Sequence, residues 1–309
     1  MKNKYFDIQV NGYAGVDFNQ NNLTTEKLKH ACLKLEADGV EGIFATIITT
    51  DFSDMISRIK QLVNLRQLDS VISKIIKGIH IEGPFINSTI GYRGAHPEKY
   101  ILKPDVEVMK KLVDAGDGLV RIVTLAPEHD NNNELTKYLK SQSIIISAGH
   151  CNPTLVQLKS AIDAGLSMFT HLGNGCPQEL PRHDNIIQRV LALKNDLQIC
   201  FIADGIHIPF YALKNYIEIA GIENVIITTD AMAAAGAKAG RYTISNIELE
   251  VGEDRVVREP GKDNFAGSAI DMKSSYKNLM DKVGLTDEES IQLTYSNPKK
   301  IFNKSILKS

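Results

Sequence analysis

Strongly apolar runs alternate with amphipathic segments along most of this chain. Short runs rich in Ile, Val and Phe, typical of strands buried on both faces, predict strands at 5–11, 42–49, 75–82, 120–126, 144–149, 168–172, 198–204 and 225–230. Apolar residues spaced by three and four predict helices at 25–37, 51–68, 105–114, 132–140, 154–164, 186–193, 209–220 and 269–283. Such a succession of strand–helix units is typical of a (β/α)8 TIM barrel, an α/β fold of about 250 residues.

Polar side chains follow nearly every predicted strand, and this favours a closed barrel over the main alternative, a doubly wound open sheet. An open sheet would concentrate its polar residues at one switch point, whereas a barrel collects them from all its strand ends. The residues concerned are Gln9, Asn11, Glu82, His150, His171, Asp204, His207 and Asp230. We therefore expect one active-site face at the carboxyl ends of the strands.

Two segments lie outside this alternation, and both are expected to belong to one domain that spans residues 1–309. An alternating pattern at 241–258 predicts a short β-hairpin inserted after the eighth strand. A lone hairpin is marginally stable in water, so it must pack on the barrel or on a second subunit. The C-terminal segment 286–302 begins with a capping box and predicts a closing helix that ends near Asn297-Pro298.

Composition narrows the class of protein. The chain has 309 residues, of which 43% are hydrophobic and 23% charged, and these proportions allow a full core. A net charge of −2 without a basic stripe gives no reason to expect nucleic acid, and no apolar run reaches membrane-spanning length. The cysteines, Cys32, Cys151, Cys176 and Cys200, form no C-x-x-C pair, which indicates a reduced, cytoplasmic protein.

Two histidines stand at the ends of successive predicted strands. His150 closes the fifth strand and His171 the sixth, so in a parallel sheet their imidazoles can share a ligand. Glu82, at the end of the third strand, is the best candidate for a third ligand. Two histidines and one carboxylate leave a coordination position open for water, which is the pattern of a catalytic zinc-type site. Taken alone, a strand-end histidine is more often a hydrogen-bonded structural residue.

Asp230, after the eighth strand, is then free to act as a base. A bound divalent cation lowers the pKa of its water, and a nearby carboxylate can take that proton and return it to a leaving group. The structural alternative is that Asp230 caps the next helix, as strand-end aspartates commonly do. Together with the three candidate ligands, Asp230 predicts metal-dependent hydrolysis.

A series of motifs between about residues 5 and 302 resembles those of the N-acetylglucosamine-6-phosphate deacetylases of the amidohydrolase superfamily, in the family's order. The motifs are Gln9-Val10-Asn11-Gly12, His80-Ile81-Glu82-Gly83-Pro84-Phe85, Gly94-Ala95-His96, Ser147-Ala148-Gly149-His150, Thr170-His171-Leu172, Ala203-Asp204-Gly205-Ile206-His207, Thr229-Asp230-Ala231-Met232-Ala233-Ala234-Ala235-Gly236 and Ala266-Gly267-Ser268. Each motif is weak alone, but the ordered set is specific. The resemblance implies a barrel of the metal-dependent amidohydrolase type and the release of acetate from an N-acetyl amino sugar 6-phosphate.

The resemblance also implies a role for each matching residue. Glu82, His150 and His171 match the metal ligands. The others match as follows: Asp230 the catalytic acid and base, His96 the histidine that polarises the acetyl carbonyl, His207 a substrate-contacting histidine, and Asn174 with Gly175 the turn that holds the sugar phosphate. A homodimer that acts on a small-molecule amino sugar is expected on the same ground.

The first strand carries Gln9-x-Asn11 where most superfamily members have an H-x-H pair that helps to build a two-metal centre. In this respect the chain is similar to family members that work with one metal. We therefore expect one divalent ion per subunit, zinc first, with iron, manganese, cobalt and nickel as alternatives because the ligand set accepts several ions.

Two departures from the family pattern affect these expectations. The family usually adds a small β-sandwich domain to the barrel, and this chain is expected to lack it, with the 241–258 hairpin as a candidate cover for the surface left behind. Where the family has Arg-Glu-Pro-Gly, this chain reads Leu180-Pro181-Arg182-His183-Asp184-Asn185. Arg182 either clamps a phosphate, across a dimer interface as the family's arginine does, or forms a loop ion pair with Asp184.

Three other functions stay open at this point. A Schiff-base aldolase needs a lysine buried near a strand end, and it is disfavoured because Lys77 lies at the start of its strand and Lys194 lies before the next one. A catalytically silent sugar-phosphate binder is disfavoured by the retained Asp230. An amidohydrolase for the galacto epimer or for an unphosphorylated N-acyl sugar is compatible with every motif.

Overall fold

The computed structural model describes residues 4–261 and 265–306, and its centre is a barrel of eight parallel strands. The strands are β1 (Tyr5–Val10), β2 (Val40–Ile48), β3 (Ile76–Glu82), β4 (Val120–Leu125), β5 (Ile145–Ala148), β6 (Leu166–Phe169), β7 (Gln198–Phe201) and β8 (Val225–Ile227). Each pairs with the next in chain order, and a parallel bridge between Val10 and Ala231 joins the last segment to the first. This closure excludes the open sheet and confirms the predicted TIM barrel.

Helices connect the strands on the outside of the barrel. They are α1 (Thr25–Ala37), α2 (Phe52–Leu68), α3 (Ser70–Ile75), α4 (Val106–Ala115), α5 (Glu134–Ser141), α6 (Leu155–Ala164), α7 (Ile186–Ala192), α8 (Phe210–Ala220) and α9 (Met272–Asn278). The helix α3 was not predicted; it has less than two turns, and Asp69 caps it immediately before β3. No helix in the described ranges combines the length and apolarity that crossing a membrane requires.

The segment after β8 forms a three-stranded antiparallel sheet, one strand more than a hairpin. Its strands are β9 (Gly240–Ile244), β10 (Ile247–Val251) and β11 (Val257–Arg258). Apolar residues such as Ile244 and Leu249 pack on Met232 and on the neighbouring alanines of the segment that follows β8. The turn at Ser245 is anchored by two buried groups, because Asp17 accepts from its backbone N–H at 2.8 Å and Arg58 donates to its hydroxyl at 2.7 Å. This sheet therefore packs on the barrel.

The predicted end of the closing helix near Pro298 is wrong. The helix α10 (Asp287–Ile291) passes through a wide turn, Gln292–Ser296, into α11 (Asn297–Ile306). The backbone N–H of Asn297 donates to the carbonyl of Gln292, five residues back, so the helix widens just before Pro298 and continues beyond it.

Candidate active site

Three buried side chains from three strand ends meet at the carboxyl-terminal face of the barrel. Glu82 is the last residue of β3, whereas His150 and His171 lie two residues beyond β5 and β6. The ligand atoms of the three lie within 4.8 Å of one another. Glu82 Oε1 is 2.9 Å from His171 Nε2 and 3.4 Å from His150 Nε2. The sequence-predicted ligands are thus brought together.

The donor set of this group fits a metal ion. The Nδ1 of His150 lies 2.8 Å from the carbonyl oxygen of Tyr92, which can only accept, so Nδ1 carries the ring proton. In the neutral ring, Nε2 then presents a lone pair to the carboxylate oxygen of Glu82. Two acceptors that face each other need a positive charge between them. The ring nitrogen that does not bind the metal usually donates a hydrogen bond that supports the imidazole, as Nδ1 does here.

The charges of the group are strongly coupled. Burial alone would raise the pKa of Glu82, but the adjoining imidazoles of His150 and His171 more than offset it and hold that pKa well below its ordinary value. Burial would lower the pKa of His171, and the hydrogen bond and charge of Glu82 raise it instead. Glu82 is therefore an anionic carboxylate, the form that binds a cation.

His96 lies beside the group, on the loop after β3. Its ring packs edge-on against His150, with the centroids 4.5 Å apart, and its Nε2 is 4.0 Å from Glu82 Oε2. Burial, and then the proximity of His150, lower the pKa of His96 to about 3, so the ring is neutral at physiological pH. A neutral imidazole still carries one N–H, which can donate to a carbonyl oxygen.

Asp230 follows β8 and is held by the first strand. Asn11 donates from Nδ2 to Asp230 Oδ1 at 2.7 Å. Removal from water, and then the charge of Glu82, raise the pKa of Asp230 to about 7. Asp230 therefore takes up and releases a proton near neutral pH. It does not cap a helix, because the next element after it within the described residues is the sheet that begins at Gly240.

Three of these residues have left-handed backbone conformations. The φ angles are 51° for His150, 34° for His171 and 50° for Asp230. Such conformations cost about 1–3 kcal/mol each for residues other than glycine and cluster at functional sites. In each case the carbonyl of the strained residue accepts a backbone N–H at 2.9 Å; the donors are Asn87, Asn174 and Ser268 respectively.

The two amides of the first strand were not assigned these roles from the sequence. Gln9 donates from Nε2 to Glu82 Oε1 at 3.1 Å, as Asn11 does to Asp230. Their spacing of two residues places both side chains on one face of a strand, and this period was the available signal. What no local pattern gives is the identity of the carboxylates that they contact.

A buried layer of hydroxyl groups beside the ligands was also missed. The Oγ1 of Thr170, which precedes His171, lies 2.8 Å from Thr124 Oγ1 and 2.6 Å from Ser147 Oγ. His80 contacts Thr124 through Nε2 at 2.7 Å and the carbonyl of Ile8 through Nδ1 at 3.1 Å. These contacts give His80 a structural role.

Two of the predicted substrate-binding positions, His207 and the turn at Asn174 and Gly175, are fixed by neighbouring groups. His207 contacts Asp204 Oδ2 through Nδ1 at 2.6 Å, and its ring packs edge-on against Phe265. The turn at Asn174 and Gly175 lies against His150, so close that a Cβ added at Gly175 would be 2.8 Å from Nδ1 of that ring. The structure thus places the turn and the ligand group together.

Arg182 is exposed, and no hydrogen bond or ion pair of its own is found among the described residues. The alternative ion pair with Asp184 is wrong. Asp184 binds Arg189 instead, with Oδ1 2.6 Å from Nε, because that guanidinium is already fixed by Asn152 and the carbonyl of Pro153. The guanidinium of Arg182 is left exposed to solvent.

Comparison with known proteins identifies the family. No protein-family model matches the chain. The N-acetylglucosamine-6-phosphate deacetylase of Bacillus subtilis is 31% identical over 299 residues, which cover 95% of this chain and 73% of the relative. The N-acetylgalactosamine-6-phosphate deacetylase of Escherichia coli O157:H7 is 28% identical over 95% of this chain and 76% of its own.

Solved structures agree with the sequence comparison. The barrel superposes with a TM-score of 0.88 on a mutant N-acetyl-D-glucosamine-6-phosphate deacetylase from Mycobacterium smegmatis in complex with N-acetyl-D-glucosamine-6-phosphate. That protein is 26% identical, and the match covers 97% of this chain and 77% of that one. The chain therefore belongs to the N-acetylglucosamine-6-phosphate deacetylase family of amidohydrolases.

Proposed function

We propose that the protein is a metal-dependent deacetylase that hydrolyses N-acetylglucosamine-6-phosphate to glucosamine-6-phosphate and acetate. The observation that carries the proposal is the convergence of Glu82, His150 and His171 on one point, with His96 packed beside them. The relatives and the solved complex named above support the substrate. The galacto epimer is the second candidate because one relative of similar identity is named for it.

Glu82, His150 and His171 would hold one divalent ion, with zinc as the first expectation and iron, manganese, cobalt and nickel as alternatives. A divalent cation in such a site supplies Lewis-acid chemistry, which lowers the pKa of water and polarises a carbonyl. A mononuclear site is supported by Gln9 and Asn11. Their amide N–H groups point at the carboxylates of the site, and an N–H group cannot bind a second cation.

The protein's own residues divide the hydrolysis between them. His96, neutral through burial, donates an N–H to the acetyl carbonyl oxygen and stabilises the negative charge that develops there. Asn11 holds Oδ1 of Asp230, so the other oxygen of this carboxylate accepts the proton of the attacking water and delivers it to the departing amine. His207 contacts the sugar, the turn at Asn174 and Gly175 holds the phosphate, and Arg182 completes the phosphate site.

The decisive test is release of acetate from four sugars: N-acetylglucosamine-6-phosphate, its galacto epimer and the two unphosphorylated forms. We expect the first to give the highest kcat/KM. Activity should disappear on chelation, return with zinc and fall at least about 10³-fold in Asp230→Asn, because the amide cannot accept the proton. A folded, zinc-loaded protein that binds the sugar phosphate and releases no acetate would instead establish the silent binder.

Analysis of metal content tests the number of ions. One equivalent of zinc per active chain is expected. Two equivalents per chain would contradict the mononuclear site, and full activity in the thoroughly chelated protein would contradict the role of Glu82, His150 and His171.

We further propose that residues 1–309 act as one catalytic domain in a cytoplasmic homodimer. The four free cysteines support a reducing compartment. Large apolar side chains are exposed in the loop after β3 and at the starts of α6 and α8: the accessible fractions are 79% for Ile90, 76% for Val156 and 75% for Tyr211. Exposed apolar surface of this kind supports an interface. Sedimentation equilibrium should give twice the chain mass, and a monomer at micromolar concentration would contradict the homodimer.

A further inference from the structure

Asp7, in the middle of β1, is a buried carboxylate that no part of the proposed chemistry uses. It is 2% exposed, and no salt bridge joins it to a cation anywhere in residues 4–261 or 265–306. Its oxygens are satisfied by hydroxyl and backbone donors instead. Thr228 Oγ1 donates to Oδ1 at 2.6 Å and Thr229 Oγ1 donates to Oδ2 at 2.5 Å.

These bonds cross the seam where the barrel closes. Backbone pairing between the first and last strands is sparse, because the carbonyl of Ala231 takes the N–H groups of Asn11 and Gly12 and the strands share no longer ladder. The register of β1 against β2 is also irregular between Asp7 and Val10. At the level of Asp7, hydrogen bonds from Thr228 and Thr229 to its carboxylate therefore join the two segments.

Thr229 connects this seam to the catalytic face, since Asp230 is the next residue. The hydroxyl of Thr229 donates to Asp7 and also accepts the N–H of Ala231 at 3.1 Å, so it bridges the strained residue from both sides. The carbonyl of Thr229 accepts from the hydroxyl of Ser268 at 2.6 Å. The left-handed backbone of Asp230 is thus enclosed by bonds to its neighbours.

We propose that Asp7 is a positioning residue, which acts through the hydroxyl of Thr229 to hold Asp230 in its left-handed conformation with the carboxylate against Asn11. This inference rests on the proposed role of Asp230. A seam lined with valine or isoleucine would close a barrel at no cost in buried charge. Two hydroxyl donors on one carboxylate fix a single arrangement of the two chain segments, which a catalytic group needs and a core does not.

The two threonines separate a positioning role from a purely structural one. Thr228→Val and Thr229→Val remove the same kind of bond to Asp7 at the same seam, so both should lower the melting temperature by similar amounts. Only Thr229 also contacts the residue after Asp230. A misplacement of about 1 Å can cost about 10²-fold in rate. We therefore expect kcat to fall about 100-fold in Thr229→Val with KM within about threefold of wild type, and less than about tenfold in Thr228→Val.

Two further variants serve as controls. Thr229→Ser keeps the hydroxyl and should restore kcat to within about threefold of wild type. Asp130 is a buried carboxylate that likewise accepts a threonine hydroxyl, at 2.7 Å, but at the start of α5 and outside the site. Asp130→Asn should therefore cost stability without a change in kcat, whereas Asp7→Asn should lower both. Equal kcat in Thr228→Val and Thr229→Val would overturn the inference.

Crystal structures of the same variants give a readout that does not depend on activity. In Thr229→Val and Asp7→Asn, the 2.7 Å contact between Asn11 Nδ2 and Asp230 Oδ1 should be lost. In Thr228→Val and Asp130→Asn it should persist. If Asp230 does not move in Thr229→Val and Asp7→Asn, the positioning role is refuted, whatever the substrate of the enzyme is. If the wild-type protein releases no acetate, only the proposed function is refuted.

Discussion

Gly175 provides a direct test of how the metal group is built, because it packs against the imidazole of His150. Alanine at this position would place a Cβ 2.8 Å from Nδ1 of the ring, whereas ordinary contact begins at 3.4 Å. The ring must therefore move by at least the difference, 0.6 Å. Metal–ligand distances tolerate only about 0.2 Å. We expect Gly175→Ala to weaken zinc binding about 10–100-fold, or about 1.4–2.8 kcal/mol, the range typical of lost support for a ligand.

The backbone contribution can be subtracted with a matched variant. Gly175 has a φ of 63°, and an alanine there also pays about 1 kcal/mol for the left-handed conformation. Gly118 has a φ of 72° with nothing within 4 Å of an added Cβ, and it lies between α4 and β4, at the opposite end of the barrel. Gly118→Ala should therefore lose similar stability and keep the zinc affinity of wild type.

The assay is a competition titration with a zinc chelator on wild type and both alanine variants. Thermal unfolding of the chelated proteins measures the backbone cost separately. If Gly175→Ala and Gly118→Ala bind zinc equally well, the contact with His150 does not hold the ligand in place, and the packing argument is refuted.

Three further predictions concern other parts of the molecule. Asp204→Asn should lower kcat/KM about tenfold, mainly through KM, because His207 loses a charged hydrogen bond; an unchanged KM would count against this. Arg182→Ala should raise KM about tenfold for phosphorylated sugars and leave KM for the unphosphorylated sugars unchanged. Arg241 is also exposed, and Arg241→Ala should leave KM unchanged for both kinds of sugar. Burial raises the pKa of Asp17 to about 7, so between pH 3.8 and 7 the folded state binds more protons than the unfolded one. The free energy of unfolding of wild type relative to Asp17→Asn should therefore fall as pH rises through this window, and a rising difference in urea titrations would contradict it.

The barrel and the ligands were predictable because they depend on local patterns. Strand and helix starts agree with the structure to within about three residues, since buried runs and helical spacing are properties of neighbouring residues. The ends of the later strands were predicted too long. The eighth strand was predicted to extend to residue 230 but ends at Ile227. Beyond it, the hydroxyl groups of Thr228 and Thr229 donate to the carboxylate of Asp7, a contact that no local pattern indicates.

The supports of the site were not predictable, because each joins residues far apart in the chain. Gln9 and Glu82 are separated by 73 positions, and Asn11 and Asp230 by 219. Nothing in the sequence near Asn11 indicates which carboxylate its amide will meet. The sequence also does not indicate that the carbonyl of Tyr92 will accept the Nδ1 proton of His150, because every residue has a backbone carbonyl.

The turn at Asn174 and Gly175 supports the metal group through its backbone and not through the side chain of Asn174. The strained conformation of His171 is supported by the N–H of Asn174, and an N–H is supplied by any residue except proline. The side chain of Asn174 does not contribute to this support, and its Nδ2 is buried without a protein partner among the described residues. The side chain at position 174 can therefore vary at little cost to the metal ligands. Within this turn, Gly175 is constrained in two ways: its left-handed backbone and its contact with His150 each exclude a larger residue.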